Sequence, residues 1–504
     1  MQRPPARLVR RLCTRAASVA LLLGLVVSGG QSAPRVENAA ASGRAPRYDP
    51  QHAPVVFVAG GFASDLECGP RDTTPLSLWP GTAPTEADFE TTWRPLYEDL
   101  ALINTRGRNG RISSRTTASA RFPLGCGSVP YRGGQAARDE PRAPNPTWCL
   151  PETTPVNPQP VACQSYESDV YSNFGLKTQQ QIAADGRGQV FALLPYDWRL
   201  APSVAGRQLQ ELVARLTAQT GVKATVIAHS QGNLVFREWM REQQEQGRTP
   251  GDLVGRFLSV AGPWWGTAES WTHAGFGRLA PDLAGEDVSL RAGLDNVRLT
   301  SQTSPGVYAL MPNRSYDDHV RATTGGEHWL AVPSGSTSRW VPYEGVGRAV
   351  GKQLTLCPQK ERFPCLNREL YEDAARAFPG PGFDTGGIQD FVAVVGAGVS
   401  TPLQICNGCT VFPDGSTDGT LVTVPIAGRI SQTNGDSRVP VFSAIQGDDP
   451  SRPPGARVPF YFTCGITHTA LMNNADVLAQ TVPYITGDAP LSYGSTFSTT
   501  ACSL

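Results

Sequence analysis

The sequence predicts an α/β fold: a mostly parallel sheet covered by helices and interrupted by inserted segments. Three observations predict it. Short, continuously apolar runs recur, as strands buried on both faces require. Between them, apolar residues return at helical spacing, so strand and helix alternate. Residues 226–233 read VIAHSQGN, placing Ser230 in a tight turn between an apolar strand and a helix-forming stretch.

Residues 55–58 (VVFV) form the first strand candidate and end at Gly60-Gly61-Phe62. Residues 190–194 form the next. Leu209, Leu212, Val213 and Leu216 then share a helix face, with Gly221 placed to end that helix in a left-handed turn. Residues 224–228 lie under the Ser230 turn, and the helix-forming run 234–246 follows it. Residues 257–261 and 391–395 continue the strands, and either 439–445 or 458–462 completes them. Residues 264–387 are irregular apart from a helix near 368–378, and read as a cap inserted into the sheet.

A strand, a turn with Ser at its tip and a helix make a nucleophile elbow. The usual pattern is G-x-S-x-G. Here Ala228 replaces the first Gly, and Gly232 keeps the second. This arrangement, with the alternation, is that of an α/β-hydrolase sheet.

Of the 504 residues, 40% are hydrophobic and ten are Trp, enough for one large α/β domain with insertions. The formal net charge is +0, so no field attracts nucleic acid. Arg3, Arg7, Arg10, Arg11 and Arg15 precede an apolar run at 16–27 and the small residues Ser28-Gly29-Gly30. That is a secretory signal peptide, assigned to residues 1–33, with cleavage also compatible after Gly30 or among 39–41. A linker follows at 34–50, and the catalytic domain spans 51–504, including a Cys-rich insertion at about 104–165. Abundant Ala, Gly and Pro fit a bacterial genome. The expected location is therefore extracellular, outside a bacterium.

Eleven Cys are present, and removal of Cys13 with the signal leaves an even number, expected to form five local disulfides. Nearness in sequence suggests Cys68–Cys126, Cys149–Cys163, Cys357–Cys365, Cys406–Cys409 and Cys464–Cys502. No His and Cys share zinc-ligand spacing, so neither metal nor cofactor is expected.

A Ser nucleophile needs a base, and the base an orienting carboxylate. On this fold they follow in the order Ser, acid, His. His468 follows the last strands, whereas His273, His319 and His328 fall in the irregular region. For the acid, residues 414–420 (DGSTDGT) offer two Asp in one loop. Asp418 is preferred because it leads directly into Leu421-Val422, with Asp414 as its neighbour. The oxyanion hole takes one N–H from Gln231 and another from the turn after the first strand, at Phe62 or Gly61.

Residues 194–200 (LPYDWRL), together with 60–67 (GGFASDLE), 229–233 (HSQGN), 261–266 (AGPWWG) and 300–320, make the chain resemble the lecithin–cholesterol acyltransferase family, which includes lysosomal phospholipase A2. The resemblance spans residues 54–480. It implies Ser230 as nucleophile, Asp418 as acid, His468 as base, and Phe62 and Gln231 as oxyanion donors. It also implies an acyl-enzyme formed from a phospholipid or other lipid ester and passed to an alcohol or water. Peripheral contact with a lipid surface would accompany such a substrate. Trp264, Trp265 and Gly61 are the expected substrate contacts, with packing beneath the cap the alternative for the two Trp. Asp197, Trp198 and Arg199 lie at a strand end, where a structural role is at least as well motivated as a chemical one. Two further readings remain open: a general carboxylic-ester or triacylglycerol lipase, and an inactive lipid-binding protein.

Overall fold

The computed structural model describes residues 46–61, 169–194, 196, 198–276, 301–302, 304–334, 337–352, 368–377, 385–406, 432–446 and 458–504, with short strands at 66–68, 76–79 and 132–133. The assigned signal peptide, the linker before residue 46, Phe62, Asp197, Asp414 and Asp418 lie outside these residues.

Six strands form the central sheet: β1 (Val55–Val58), β2 (Phe191–Leu194), β3 (Ala224–His229), β4 (Val254–Val260), β5 (Asp390–Ala397) and β6 (Phe460–Cys464). Their order is β6-β5-β4-β3-β1-β2, and every pairing is parallel. This is an α/β-hydrolase sheet, with the elbow strand β3 in its interior. Every residue of β1 to β4 is buried, as a sheet covered on both faces requires. That explains why these strands read as unbroken apolar runs.

The covering helices include α1 (Asp169–Asp185), α2 (Pro202–Thr220), α3 (Gly232–Glu245), α4 (Ser270–Phe276) and α5 (Ala475–Thr486). Helix α2 packs on α3, and α1 on α5. The start of α2 carries Pro202, whose fixed φ suits the first turn. It ends at Gly221 with φ 67°, whose N–H donates to the Thr217 carbonyl. Leu209, Leu212, Val213 and Leu216 are its buried face, as their spacing predicts. Phe236 of α3 stacks on Phe257 of β4 at 3.6 Å between ring centres, fixing that helix to the sheet.

The two candidates for the last strand are resolved by the position of Pro440. It stands extended before a short helix, Val441–Ala444, so the 439–445 run turns helical and 458–462 supplies β6. The stretch expected to be irregular, 264–387, holds short elements among its described residues. They are α4, the helices Pro305–Ala309, Arg314–Thr324, Tyr343–Lys352 and Arg368–Ala377, and the hairpin Leu330–Ser334 with Thr337–Trp340. The two shortest helices span only one or two turns, too few for a periodic signal to stand out. The segment returns tightly onto the end of β2. A Cβ on Gly306 would sit 2.0 Å from the Trp198 carbonyl oxygen, and the Gly306 N–H donates to the Arg199 carbonyl. Trp198 and Arg199 are fully buried, so this strand end serves as a junction in the fold.

Cys464, at the end of β6, is bonded to Cys502, with Cα atoms 5.8 Å apart. That is the last of the five expected pairs. The others involve cysteines whose side chains lie outside the described residues.

Candidate active site

Ser230 occupies the left-handed region at φ 53°, a conformation that non-glycine residues adopt at a cost and that recurs at functional turns. Three contacts hold it there. Its N–H donates to the Val260 carbonyl at 3.0 Å. The Asn233 side-chain amide donates to the carbonyls of Ala228, Ser230 and Val260. Gly232 allows α3 to approach β1: a Cβ there would lie 2.4 Å from the Val58 carbonyl oxygen and 2.5 Å from that of Ala59. The second glycine of the elbow is thus a steric necessity, whereas Ala228, fully buried, fits where many such turns carry glycine.

His468 follows β6 and is buried. Its Nδ1 lies 2.8 Å from Oδ2 of Asp436, and its N–H donates to the Asp436 carbonyl at 2.7 Å. The other carboxylate oxygen, Oδ1, accepts the N–H groups of Arg438 at 3.0 Å and Val439 at 2.7 Å. Asp436 is therefore fixed from three sides. The carboxylate on His468 is thus Asp436, while the expected acid, Asp418, and its neighbour Asp414 lie outside the described residues. Asp436 follows an antiparallel pair, Val399–Pro402 with Gln432–Gly435, that extends the chain beyond β5 before it turns back. Its sequence mark is Gly435-Asp436 at the close of that pair. With Nδ1 bonded to a carboxylate, the ring keeps its proton there and leaves Nε2 as the basic nitrogen.

Ser230 and His468 line one cavity with Gly60, Gly61, Tyr171 and His229. A buried chain of hydrogen bonds runs beneath it. The Gly60 N–H donates to the Tyr171 hydroxyl at 2.9 Å. That hydroxyl lies 2.7 Å from His229 Nδ1, and His229 Nε2 lies 3.1 Å from the His468 carbonyl oxygen. A carbonyl only accepts, so Nε2 carries the proton, Nδ1 is bare, and Tyr171 donates to it. One tautomer thereby joins the glycine turn, the elbow and the base loop. Burial, then the nearby His468, holds the His229 pKa well below its ordinary 6.5, and burial raises that of Tyr171. Both groups are neutral at physiological pH.

This has a consequence for stability. The folded pKa of His229 is depressed, so below about pH 6.5 the unfolded chain takes up a proton that the folded chain refuses. Stability is fully present above that pH and falls as pH drops toward the folded value, by at most about 1.4 kcal/mol per pH unit from this one group. His229→Gln is expected to lower the urea midpoint at neutral pH but flatten its decline between about pH 6.5 and 5. Parallel midpoint-against-pH curves for the two proteins would contradict this.

Gln231 follows Ser230 and caps α3, where the first N–H groups lack intrahelical acceptors. Its side chain donates to the carbonyls of Trp198 at 3.2 Å and Gly306 at 2.9 Å. Gly61 lines the cavity and abuts Gln231: a Cβ there would lie 2.3 Å from Gln231 Oε1. Trp264 and Trp265 sit elsewhere. Both belong to the main core, 3% and 9% exposed, and the cavity wall beside them is Pro263 and Thr267. Trp265 packs near Phe442 and His319, with its N–H on Ser443 Oγ. For these two residues the structure presents packing, and neither is among the residues that line this cavity.

The parallel sheet, the elbow after its interior strand and the buried histidine after its last strand define an α/β-hydrolase. Residues 180–320 match the family model described as lecithin:cholesterol acyltransferase. The chain is 25% identical over 231 residues to the human lysosomal phospholipase A and acyltransferase, covering 44% of this chain and 49% of that one. It is 30% identical over 87 residues to the rat protein of the same name, covering 17% and 21%. It therefore matches about half the length of the human relative and about a fifth of the rat one. Among solved structures, a chain of the Tle4–Tli4 complex aligns over 86% of this chain and 98% of its own, with a TM-score of 0.45 and 14% identity. The mature lipase BlEst2 of Bacillus licheniformis aligns over 62% and 77%, at 0.23 and 10%.

Proposed function

We propose that this chain is a secreted serine acyltransferase and phospholipase A. It would take an acyl group from a lipid ester, hold it on Ser230 and pass it to an alcohol or to water. The observation that carries this reading is the meeting, in one cavity, of a strained elbow Ser and a buried His whose Nδ1 is held by Asp436.

In the first half-reaction Ser230 Oγ attacks the ester carbonyl and its proton passes to His468 Nε2. Asp436 holds the ring and stabilises the imidazolium that forms. The developing oxyanion takes the Gln231 N–H and a second donor from the glycine turn. The Gly60 N–H is engaged by Tyr171, which leaves that second place to Gly61 or Phe62. His468 then gives its proton to the leaving lysolipid alkoxide, and acyl-Ser230 remains. In the second half-reaction His468 takes a proton from an alcohol or water, whose oxygen attacks the acyl carbonyl, and returns it to Ser230 Oγ. Export by the assigned signal peptide fits the Cys464–Cys502 bond, since disulfides persist in oxidising compartments.

Water is abundant, so transfer wins only where the site concentrates an alcohol. Burying four methylenes, at about 0.8 kcal/mol each, favours a longer alcohol by more than about a hundredfold in occupancy. With phospholipid vesicles and a series of alcohols, alkyl ester should form at the expense of free fatty acid and rise with chain length. Free fatty acid as the sole acyl product throughout would leave a phospholipase or plain lipase. Absence of any ester cleavage by the folded protein would leave a lipid-binding protein.

A further inference from the structure

The stretch 194–200 holds a tyrosine that the acyl-transfer steps leave without a part. Tyr196 follows β2 and is buried, and its hydroxyl donates to the Ala59 carbonyl at 2.9 Å. Tyr171 of α1 is buried as well, and its hydroxyl accepts the Gly60 N–H at 2.9 Å. Those two backbone groups belong to one peptide unit, the bond between Ala59 and Gly60. A peptide is a rigid plane, so holding both its C=O and its N–H fixes how the plane is turned about the chain.

The plane stands beside the nucleophile. Gly60 and Gly61 line the cavity with Ser230, and a Cβ on Gly60 would lie 2.8 Å from the Tyr171 hydroxyl oxygen and 3.0 Å from Ser230 Cβ. In the proposed reaction the second oxyanion donor comes from Gly61 or Phe62, so any turn of the Ala59–Gly60 plane re-aims it. The Tyr171 hydroxyl gives its proton to His229 Nδ1 at 2.7 Å, which leaves its lone pairs for the Gly60 N–H. His229 donates in turn to the His468 carbonyl at 3.1 Å, tying the same plane to the loop of the base. A buried tyrosine usually finds some partner for its hydroxyl. Two tyrosines from separate elements meeting on one peptide of the cavity wall exceed that need.

We propose that Tyr171 and Tyr196 are positioning residues that clamp the Ala59–Gly60 peptide and so preorganise the oxyanion donor that follows it. This rests on the acyl-serine reading and adds to it what holds the oxyanion site before substrate arrives. Preorganised donors act on the transition state, so the clamp is read in kcat more than in KM.

The test measures kcat and KM on a soluble short-chain ester for wild type, Tyr171→Phe, Tyr196→Phe and the double variant. Inhibition by a trifluoromethyl ketone is measured alongside, since a serine nucleophile adds to its carbonyl and leaves an alkoxide in the oxyanion site. Phenylalanine keeps the rings, and that of position 171 keeps its packing on Phe57, 4.9 Å between ring centres. Each single variant should lower kcat about ten- to a hundredfold, less than the loss of a donor itself, with KM held within about twofold. The ketone's inhibition constant should rise by about the factor that kcat/KM loses. One lost bond already frees the plane, so the double variant should stay within about threefold of the slower single. A kcat within about twofold of wild type in either single overturns the clamp. Losses that multiply in the double variant, or an inhibition constant that stays in place while kcat falls, mark structural roles and overturn it as well. If the phenylalanine variants fail to fold, 3-fluorotyrosine placed at position 171 decides, because it keeps the ring and weakens the hydroxyl as an acceptor. A kcat lowered about threefold supports the clamp and an unchanged one overturns it. A folded wild type that neither cleaves the ester nor takes a fluorophosphonate label overturns the acyl-serine reading, whereas cleavage with unmoved variants overturns the clamp alone.

Discussion

Ser230→Ala is expected to remove ester turnover almost entirely, lowering kcat by about six orders of magnitude, the scale seen when a serine hydrolase loses its nucleophile. In the proposed mechanism Ser230 forms the covalent bond, and alanine keeps a small side chain at its φ of 53°. The fold should therefore survive. Asn233 would still clamp the turn carbonyls, and Gly232 would still admit α3 to β1. The measurement is hydrolysis of a soluble short-chain ester, with fluorophosphonate labelling alongside. Wild type should label and the variant should not. Groups that act as a unit lose little more when a second member is removed, so Ser230→Ala combined with His468→Ala should be no slower than Ser230→Ala alone. A folded Ser230→Ala protein that keeps a tenth or more of the activity would exclude Ser230 as nucleophile.

The elbow was legible because its determinants are local. An apolar run, a Ser, a Gly and a helix-forming stretch lie within about twenty residues, and each does in space what its chemistry suggests. The strands of the central sheet were legible for the same reason, since burial on both faces writes itself as unbroken apolar sequence. His468 could be placed because one histidine alone follows the last strands.

Asp436 could not be read in this way. The acid is required only to reach His468 in space, and any Asp in a turn between β5 and β6 satisfies that condition. On sequence alone Asp418, set before an apolar pair, is as eligible as Asp436. What distinguishes Asp436 is non-local: the antiparallel pair after β5 brings Gly435 back to Val399, and a Cβ on Gly435 would lie 2.4 Å from Thr401 Oγ1. Trp264 and Trp265 failed to show their surroundings for a different reason. An indole suits a wet boundary and a dry core equally well, so the residue type carries no address.

Asp436→Asn is expected to cost about four orders of magnitude in kcat, the loss found when a triad carboxylate becomes an amide. The geometry gives the reason. Oδ1 of Asp436 accepts the N–H groups of Arg438 and Val439, and an asparagine would keep its oxygen there to satisfy both. Its amide nitrogen would then face His468 Nδ1 and donate to it. The imidazole would be driven to the tautomer with its proton on Nε2, the atom that takes the proton of Ser230 in the proposed mechanism. The variant would hold its shape and present the wrong end of the ring. Asp418→Asn should stay within a few-fold of wild type, and Asp414→Asn likewise, because neither is needed to set that tautomer once Asp436 does so. All three variants are to be assayed on one soluble ester, with thermal unfolding followed in parallel to separate loss of fold from loss of chemistry. An Asp418→Asn protein that is folded and thousands of times slower, beside an Asp436→Asn protein that is nearly unimpaired, would return the acid role to Asp418.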